Sequence, residues 1–259
     1  MYLLIPSSEH LAMEYTHPKI LKFNIKGGIN DLQGYTPVSD LAPLRVTNEV
    51  YPVGEEEEVW DSEFTRDAFE QEKVAWEESE TRKKFEVTLS KAKDHKINNI
   101  VGLACGSLSR PGRSKSAFQH VLLVTAKNWL QTNGLDELSC YMQDPEYTDV
   151  DRRIFRDVGF QVVDDPEGFL KVDGQSIVLS IAANVPTKLI IADIARPAIV
   201  IWFVVEEMDT LMLDPNSDRV REMMKGYDKR EFKPDGTQFR DAAIYIRRTK
   251  DEPPFQGKA

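Results

Sequence analysis

Residues 97–110 read INNIVGLACGSLSR. The run 97–103 is short and apolar, and it passes into a small-residue turn, Ala104-Cys105-Gly106, followed by Ser107, Leu108, Ser109 and Arg110. That texture predicts a buried strand whose exit bends sharply, with Gly106 permitting positive φ or close backbone approach. A helical pattern follows over 117–131, closed by Asn133-Gly134. Strand, turn and helix in that order open an α/β unit.

The downstream chain repeats the alternation. Residues 138–142 are strand-like, and Thr148 is placed to cap a helix over 149–158 that Gly159 ends. Strands are predicted at 161–163 and 177–181, and a short helix between Pro186 and Ala195. The run 198–205 is apolar throughout, as expected of a central strand covered on both faces. A helix from Ser217 to about residue 225 precedes a last strand at 242–247, expected to close the sheet. The fold class predicted is therefore α/β: a Rossmann-like, doubly wound, mostly parallel sheet with helices on both faces.

Upstream, Gly27-Gly28, Gly34, Pro37, Pro43 and Pro52 punctuate a stretch without sustained periodicity, so residues 1–59 are expected to form an extended arm. From residue 61 or 62 to about 92 there is neither Gly nor Pro, which predicts one long charged helix, or two broken near Ser79. The expected division is an arm (1–59), a domain with its leading charged helix (60–250) and a tail (251–259).

The net charge of −10 is local. Residues 55–80 carry 12 acidic and 2 basic side chains, and the remainder balances at 31 of each. The acidic total therefore neither excludes nor supports a polyanionic partner. The four histidines show no metal-ligand spacing, and Cys105 and Cys140 lie in apolar, strand-like segments where reduced thiols are expected. No run is long enough to span a bilayer, and no secretion signal is read at the start. A cytoplasmic protein is expected, with no metal, no cofactor and no membrane partner.

In a doubly wound sheet, ligands bind beyond the carboxyl ends of the strands, near the reversal of strand order. The first exit offers Gly106, Ser107 and Ser109. It is either a ligand-binding turn, with or without a nucleophilic serine, or a small-residue turn with solvated serines. A dinucleotide fingerprint is absent. His120, between apolar neighbours on the following helix, suits a packed or capping role. At the second exit, Asp144 either meets a ribose hydroxyl or ends the strand as an Asp-Pro turn, with Tyr147 close behind. Asn184 marks the third exit, and Asp193 could pair with Arg196 at the fourth. Glu206, Glu207 and Asp209 follow the most apolar strand, where Trp202 and Glu206 stand four apart. These carboxylates are either a solvated strand exit or a pocket for a cation such as a guanidinium.

Several of these motifs in combination resemble the "sensitivity to red light reduced" family, particularly its fungal branch. They are the stretch 100–110, Gln119-His120, Gln143-Asp144-Pro145-Glu146-Tyr147-Thr148 with Asp151, and Gly159-Phe160. Asp164-Asp165-Pro166, Asn184 with Pro186, Arg196-Pro197-Ala198 and Asp214-Pro215 continue the pattern over roughly residues 99–248. One departure is Ala104-Cys105-Gly106 where the family's usual turn is Gly-Leu-Gly.

The resemblance implies a Rossmann-like fold and two functional classes. One is a regulatory or scaffold protein that retains the fold, with or without a bound nucleotide. The other is an arginine-containing cyclodipeptide synthase, which draws amino acids from aminoacyl-tRNA. In the second class, similarity in placement makes Ser107 the acyl acceptor. Trp202 and Glu206 match the spacing of a Tyr–Glu pair, although Trp lacks the hydroxyl. Gly106, Ser109, Asp144, Tyr147 and Asn184 would contact the substrate, with Glu207 and Asp209 beside a guanidinium. Lys83, Lys84, Lys93, Lys96, Arg110 and Arg113 would meet tRNA phosphates, where the bland alternative is solvated surface.

Overall fold

The computed structural model describes residues 3–4, 10–15, 44–49, 58–110, 113–135, 137–206, 213–232 and 242–249. Within 1–59, where an extended arm was expected, three short strands form an antiparallel sheet: β1 (Leu3–Leu4), β2 (His10–Tyr15) and β3 (Leu44–Glu49). The turn residues of this stretch fall outside these strands, Gly27 to Pro43 between β2 and β3 and Pro52 after β3.

The charged stretch is two helices. Asp61 caps α1 (Ser62–Glu77) by accepting from the backbone N–H groups of Glu63 and Phe64, and Ser79 starts α2 (Glu80–Leu89) by accepting from Arg82 N. Their buried aromatics, Phe69, Trp76 and Phe85, face the core. Trp76 also donates its indole N–H to Thr125 Oγ1 at 2.9 Å. The acidic residues remain on the solvent side, as a highly charged amphipathic helix requires.

The main sheet has seven strands: β4 (Asn99–Leu103), β5 (Ser139–Gln143), β6 (Gln161–Val162), β7 (Ser176–Leu179), β8 (Ile199–Phe203), β9 (Tyr227–Glu231) and β10 (Ala242–Arg247). Their order is β6-β5-β4-β7-β8-β10-β9. The first five are parallel, and β10 runs antiparallel between β8 and β9. The expected last strand, 242–247, is thus not the edge; β9 is. β9 reads YDKRE with only Tyr227 buried, a charged edge strand whose apolar periodicity is too thin to read.

Period-two alternation divides the core. Ile100, Ile177, Leu179, Ile199, Ile201 and Ile244 face one layer with α1, α2, α3 (Arg113–Thr132) and α4 (Asp149–Asp157). Val101, Leu103, Val178, Val200 and Trp202 face the other, against α5 (Glu167–Leu170), α6 (Thr187–Ile194) and α7 (Asp218–Met224). Helices thus cover both faces, and the strand order reverses between β4 and β7. Any ligand crevice of this fold opens beyond Leu103 and Leu179.

Candidate functional site at the strand exits

The chain leaves β4 with Ala104 at φ +52° and Gly106 at φ +75°. A Cβ on Gly106 would lie 2.4 Å from Ser116 Oγ of α3, so a side chain there would have to displace that hydroxyl. Two carboxylates then organise the turn. Gly106 N donates to Asp144 Oδ2 at 2.7 Å, while Leu108 N and Ser109 N donate to Asp151 Oδ1 at 2.9 and 3.1 Å. Ser107 Oγ donates to Asp151 Oδ2 at 2.7 Å and accepts from Ser109 N at 3.0 Å. Asp151 is also the third residue of α4, where it forms a capping box by accepting from Thr148 N at 2.8 Å. One buried carboxylate therefore closes a helix and fixes the neighbouring strand exit. Ser109 completes the network through Thr148 Oγ1 at 2.7 Å.

Asp144 does not present a free oxygen to a ribose. Its Oδ1 accepts from Glu146 N at 2.8 Å and its Oδ2 from Gly106 N, the local turn plus a tie to the next strand. Burial raises its pKa, opposed by these two N–H groups and reinforced by the Asp151 charge. Tyr147 is buried, and its hydroxyl lies 2.8 Å from His120 Nε2; His120 Nδ1 lies 2.6 Å from Ser116 O. The carbonyl can only accept, so Nδ1 carries the proton and Nε2 accepts from Tyr147. Burial pushes His120 down to about 4, so it is neutral, and it stacks on Phe155 with centroids 4.4 Å apart. Its role is the packed one that its neighbours suggested.

Gln119 spans the switch point. Its Nε2 donates to Cys105 O at 3.4 Å and its Oε1 accepts from Ile181 N at 3.2 Å, so one amide links the exits of β4 and β7. Beyond β7, Ala182 has φ +60° and Asn184 is exposed. Asp193 pairs with Arg219 at 2.7 Å rather than with Arg196, which donates to the Ala192 and Ala195 carbonyls instead.

The β8 exit departs from expectation. Trp202 is fully buried in the second core layer, and its indole N–H has no partner among the described residues. Glu206 has 74% of its side chain exposed and sits 3.7 Å from Lys229 Nζ. The strand ends before Glu206, so the spacing of four puts one residue in the core and the other in solvent, with no shared pocket. Glu207 and Asp209 lie outside the described residues.

The basic candidates also separate. Lys93 and Lys96 are exposed before β4, at its amino end, whereas Arg110 follows the opposite end of that strand. Five residues at about 3.3 Å each put those ends on the order of 16 Å apart. Lys83 is exposed and lies 2.6 Å from Glu80, and Lys84 is exposed on the same helix. Arg110 Nε is 3.7 Å from Glu146, and the Arg113 side chain lies outside the described residues.

A cluster that the sequence reading passed over lies between α6 and the loop leading to α7. Lys188 is only 4% exposed, and its Nζ donates to Asn216 Oδ1 at 2.7 Å. Its backbone N–H donates to Asp214 Oδ1 at 2.9 Å. Burial pushes Asp214 up to about 7 against the opposing pull of Lys188. The one available signal was a lysine inside the apolar segment TKLIIADI.

A surface depression of about 640 Å³, lined by Tyr141, Arg152, Arg156, Phe160 and Gln161 among others, lies against the β6 edge and includes none of the strand-exit residues above. Among the described residues no group of His, Cys, Asp and Glu is placed to hold a metal, and no helix is long and apolar enough to cross a membrane. Both cysteines are free and buried.

Comparison with solved structures finds a Klebsiella pneumoniae protein assigned as an O-methyltransferase, at 12% identity and a TM-score of 0.40, covering 71% of this chain and 90% of that one. No curated protein matches this chain in sequence. The SRR1 domain profile matches residues 67–246, from within α1 almost to the end of β10. Since that match takes in well over half of the sequence, the chain belongs to the SRR1 domain family, the "sensitivity to red light reduced" family.

Proposed function

We propose that the chain is an aminoacyl-tRNA-dependent cyclodipeptide synthase in which Ser107 carries the acyl group, with arginine the substrate implied by the resemblance. The observation that carries this reading is the Ser107–Asp151 pair: a serine hydroxyl donating to a buried carboxylate at 2.7 Å, in the turn after the first parallel strand. A nucleophile within hydrogen-bond reach of a base, itself held by further donors, is the arrangement that acyl transfer needs. In the first step Ser107 Oγ attacks the ester carbonyl of an aminoacyl-tRNA. Its proton passes through Asp151 to the ribose oxygen as that C–O bond breaks. The amine of a second aminoacyl-tRNA then attacks the seryl ester, and Ser107 Oγ leaves and regains a proton. The amine of the first residue finally attacks the remaining ester, closing the ring and freeing the tRNA. Arg110, on the same side of the sheet as Ser107, would meet the phosphates near the acceptor end. Lys83, Lys84, Lys93 and Lys96 would meet more distant ones.

A second reading has its own support. The N–H groups of Gly106, Leu108 and Ser109 are engaged by Asp144 and Asp151, and Ser107 is 5% exposed. A turn closed on its own carboxylates suits a regulatory or scaffold protein, though one that offers no N–H cradle to a nucleotide phosphate.

Mass spectrometry of small molecules from a bacterial host expressing the chain separates the two. A cyclic dipeptide that vanishes in Ser107→Ala, in a variant that still unfolds cooperatively, is expected. No such product from the wild-type chain would favour the regulatory reading.

A further inference from the structure

We infer that the Lys188–Asp214–Asn216 cluster is the site of the acceptor amine, with Asp214 taking the proton from the ammonium group of the second aminoacyl substrate. The inference rests on the acyl-transfer reading of Ser107. It gives the proton-handling role to a residue other than Glu206, which is exposed.

Three observations support the assignment. The first is position. Asp214 lies between β8 and α7, and its Oδ1 caps the start of α6, the helix that follows β7. β8 is two strands from β4, and neighbouring strands lie about 4.8 Å apart. The strand ends that precede the Ser107 turn and the Asp214 loop are thus about 10 Å apart with the switch point between them. Ser107 is tied to α4 on one face and Asp214 to α6 on the other, so an aminoacyl group joining them would lie across the carboxyl edge of the sheet.

The second observation is composition. A lysine and a carboxylate withdrawn together from water are costly to retain unless they are held in good geometry. Here Lys188 Nζ is held by Asn216, whose own amide donates to Val204 O at 3.4 Å, so the cluster is tied to the end of β8. The third is valence. Asp214 Oδ1 accepts from Lys188 N, while Oδ2 has no hydrogen-bond partner among the described residues. A carboxylate with one oxygen fixed and one uncommitted is oriented to accept a proton. Its elevated pKa, about 7, matches a base acting near neutrality.

The step balances. The substrate ammonium gives one proton to Asp214 and becomes a nucleophilic amine. Its nitrogen bonds to the seryl ester carbonyl and the C–Oγ bond to Ser107 breaks. The second nitrogen proton goes to Ser107 Oγ, and Asp214 returns its proton to solvent. Lys188 and Asn216 are positioning residues.

The test uses the full chain with total tRNA charged with radiolabelled amino acids, comparing wild type with Asp214→Asn, which keeps an oxygen able to cap α6. The label trapped on Ser107 should form at a similar rate in both. Transfer to a second aminoacyl-tRNA should fall roughly 10²–10⁴-fold in the variant, the range for loss of a general base. Hydroxylamine, largely unprotonated at neutral pH, should cleave both acyl-enzymes equally. Intact dipeptide formation in Asp214→Asn overturns the inference and leaves the Ser107 reading standing. A parallel loss of hydroxylamine cleavage also overturns it, since the cluster is then merely structural. If wild type takes up no label, the acyl-transfer reading fails and this site with it. Should Asp214→Asn not fold, Asp214→Ser keeps a capping oxygen without a base and is read the same way.

Discussion

Two ends of neighbouring strands on one side of the sheet treat buried charge in opposite ways. Beyond β4 and β5, the Asp151 carboxylate accepts from three backbone N–H groups, those of Leu108, Ser109 and Thr148, from the Ser107 hydroxyl, and from one of the mutually bonded hydroxyls of Ser109 and Thr148. Beyond β7 and β8, Asp214 accepts a single described hydrogen bond, beside a lysine that is itself buried. A saturated carboxylate is a structural centre, because every donor around it loses its partner if it is removed. A carboxylate with few donors keeps its capacity to exchange a proton. Asp151 is thus held by the donors of the turn it organises, whereas among the described residues Asp214 keeps one oxygen to spare.

Removing each carboxylate should expose that contrast most strongly in stability. Asp151→Ala strands several buried donors at once and should cost about 3–5 kcal/mol, the range for breaking a buried charged network. Asp214→Asn keeps the α6 cap and should cost less than about 1 kcal/mol, that of an ordinary hydrogen bond adjusted rather than lost. Urea unfolding of both variants measures the difference. Near-equal losses would show that the two exits are not different in kind.

The pH dependence of folding sharpens the same comparison, because two buried groups pull in opposite directions. Asp214 stands at about 7 in the fold against an ordinary carboxylate value of 3.8 when unfolded, so between about pH 4 and 7 the native state binds the extra proton. Its contribution to stability is full below pH 4 and is lost as pH rises through 7. His120 stands at about 4 against 6.5 unfolded, so there the unfolded chain binds the extra proton. Its contribution is present above 6.5 and is lost as pH falls through 4. Asp214→Asn should therefore steepen the rise of stability between pH 4 and 6.5, by at most about 1.4 kcal/mol per pH unit, and His120→Gln should flatten it. Unfolding free energies at four or five pH values for the three proteins suffice. Parallel curves would mean that neither group titrates as its burial demands.

Much of the fold was legible because it rests on patterns that water imposes. The apolar runs of β4 and β8 are buried on both faces, and caps such as Thr148 and Ser217 satisfy orphan helix donors where the sequence placed them. β9 was not legible, because a charged edge strand buries one face of a single tyrosine and has little period to detect. At the site, the Ser107 turn could be placed, since glycine and small residues mark a strand exit. Its occupants could not: Asp151 acts from α4, 44 residues away, and nothing local to Ser107 announces that. The Trp202–Glu206 pair misled for the converse reason. A spacing of four brings side chains together on a helix, and here the strand's end lies between them. Lys188 was passed over because a lone lysine in an apolar helix gains meaning only when Asn216 and Asp214 arrive from a distant loop.

The smallest expected effect concerns the turn itself. Against the Gly-Leu-Gly of the resemblance stands Ala104-Cys105-Gly106, and the backbone explains why an alanine is tolerated at 104 and would not be at 106. Ala104 at φ +52° occupies the left-handed region, which costs an L-residue roughly 1–2 kcal/mol, but it stays half-buried with room for its methyl group. At Gly106, φ +75°, any side chain would carry that cost and a steric one, since an added Cβ would meet Ser116 Oγ at 2.4 Å. Ala104→Gly relieves the strain but gives the unfolded chain more freedom, which offsets about 0.5–1 kcal/mol of it. A net gain of up to about 1 kcal/mol is expected, visible as a rise of a few degrees in Tm. Gly106→Ala should do the reverse and do it harder, because the clash adds to the strain. If Ala104→Gly instead lowers Tm, the methyl group is packing usefully and the left-handed turn is held by that contact rather than in spite of it.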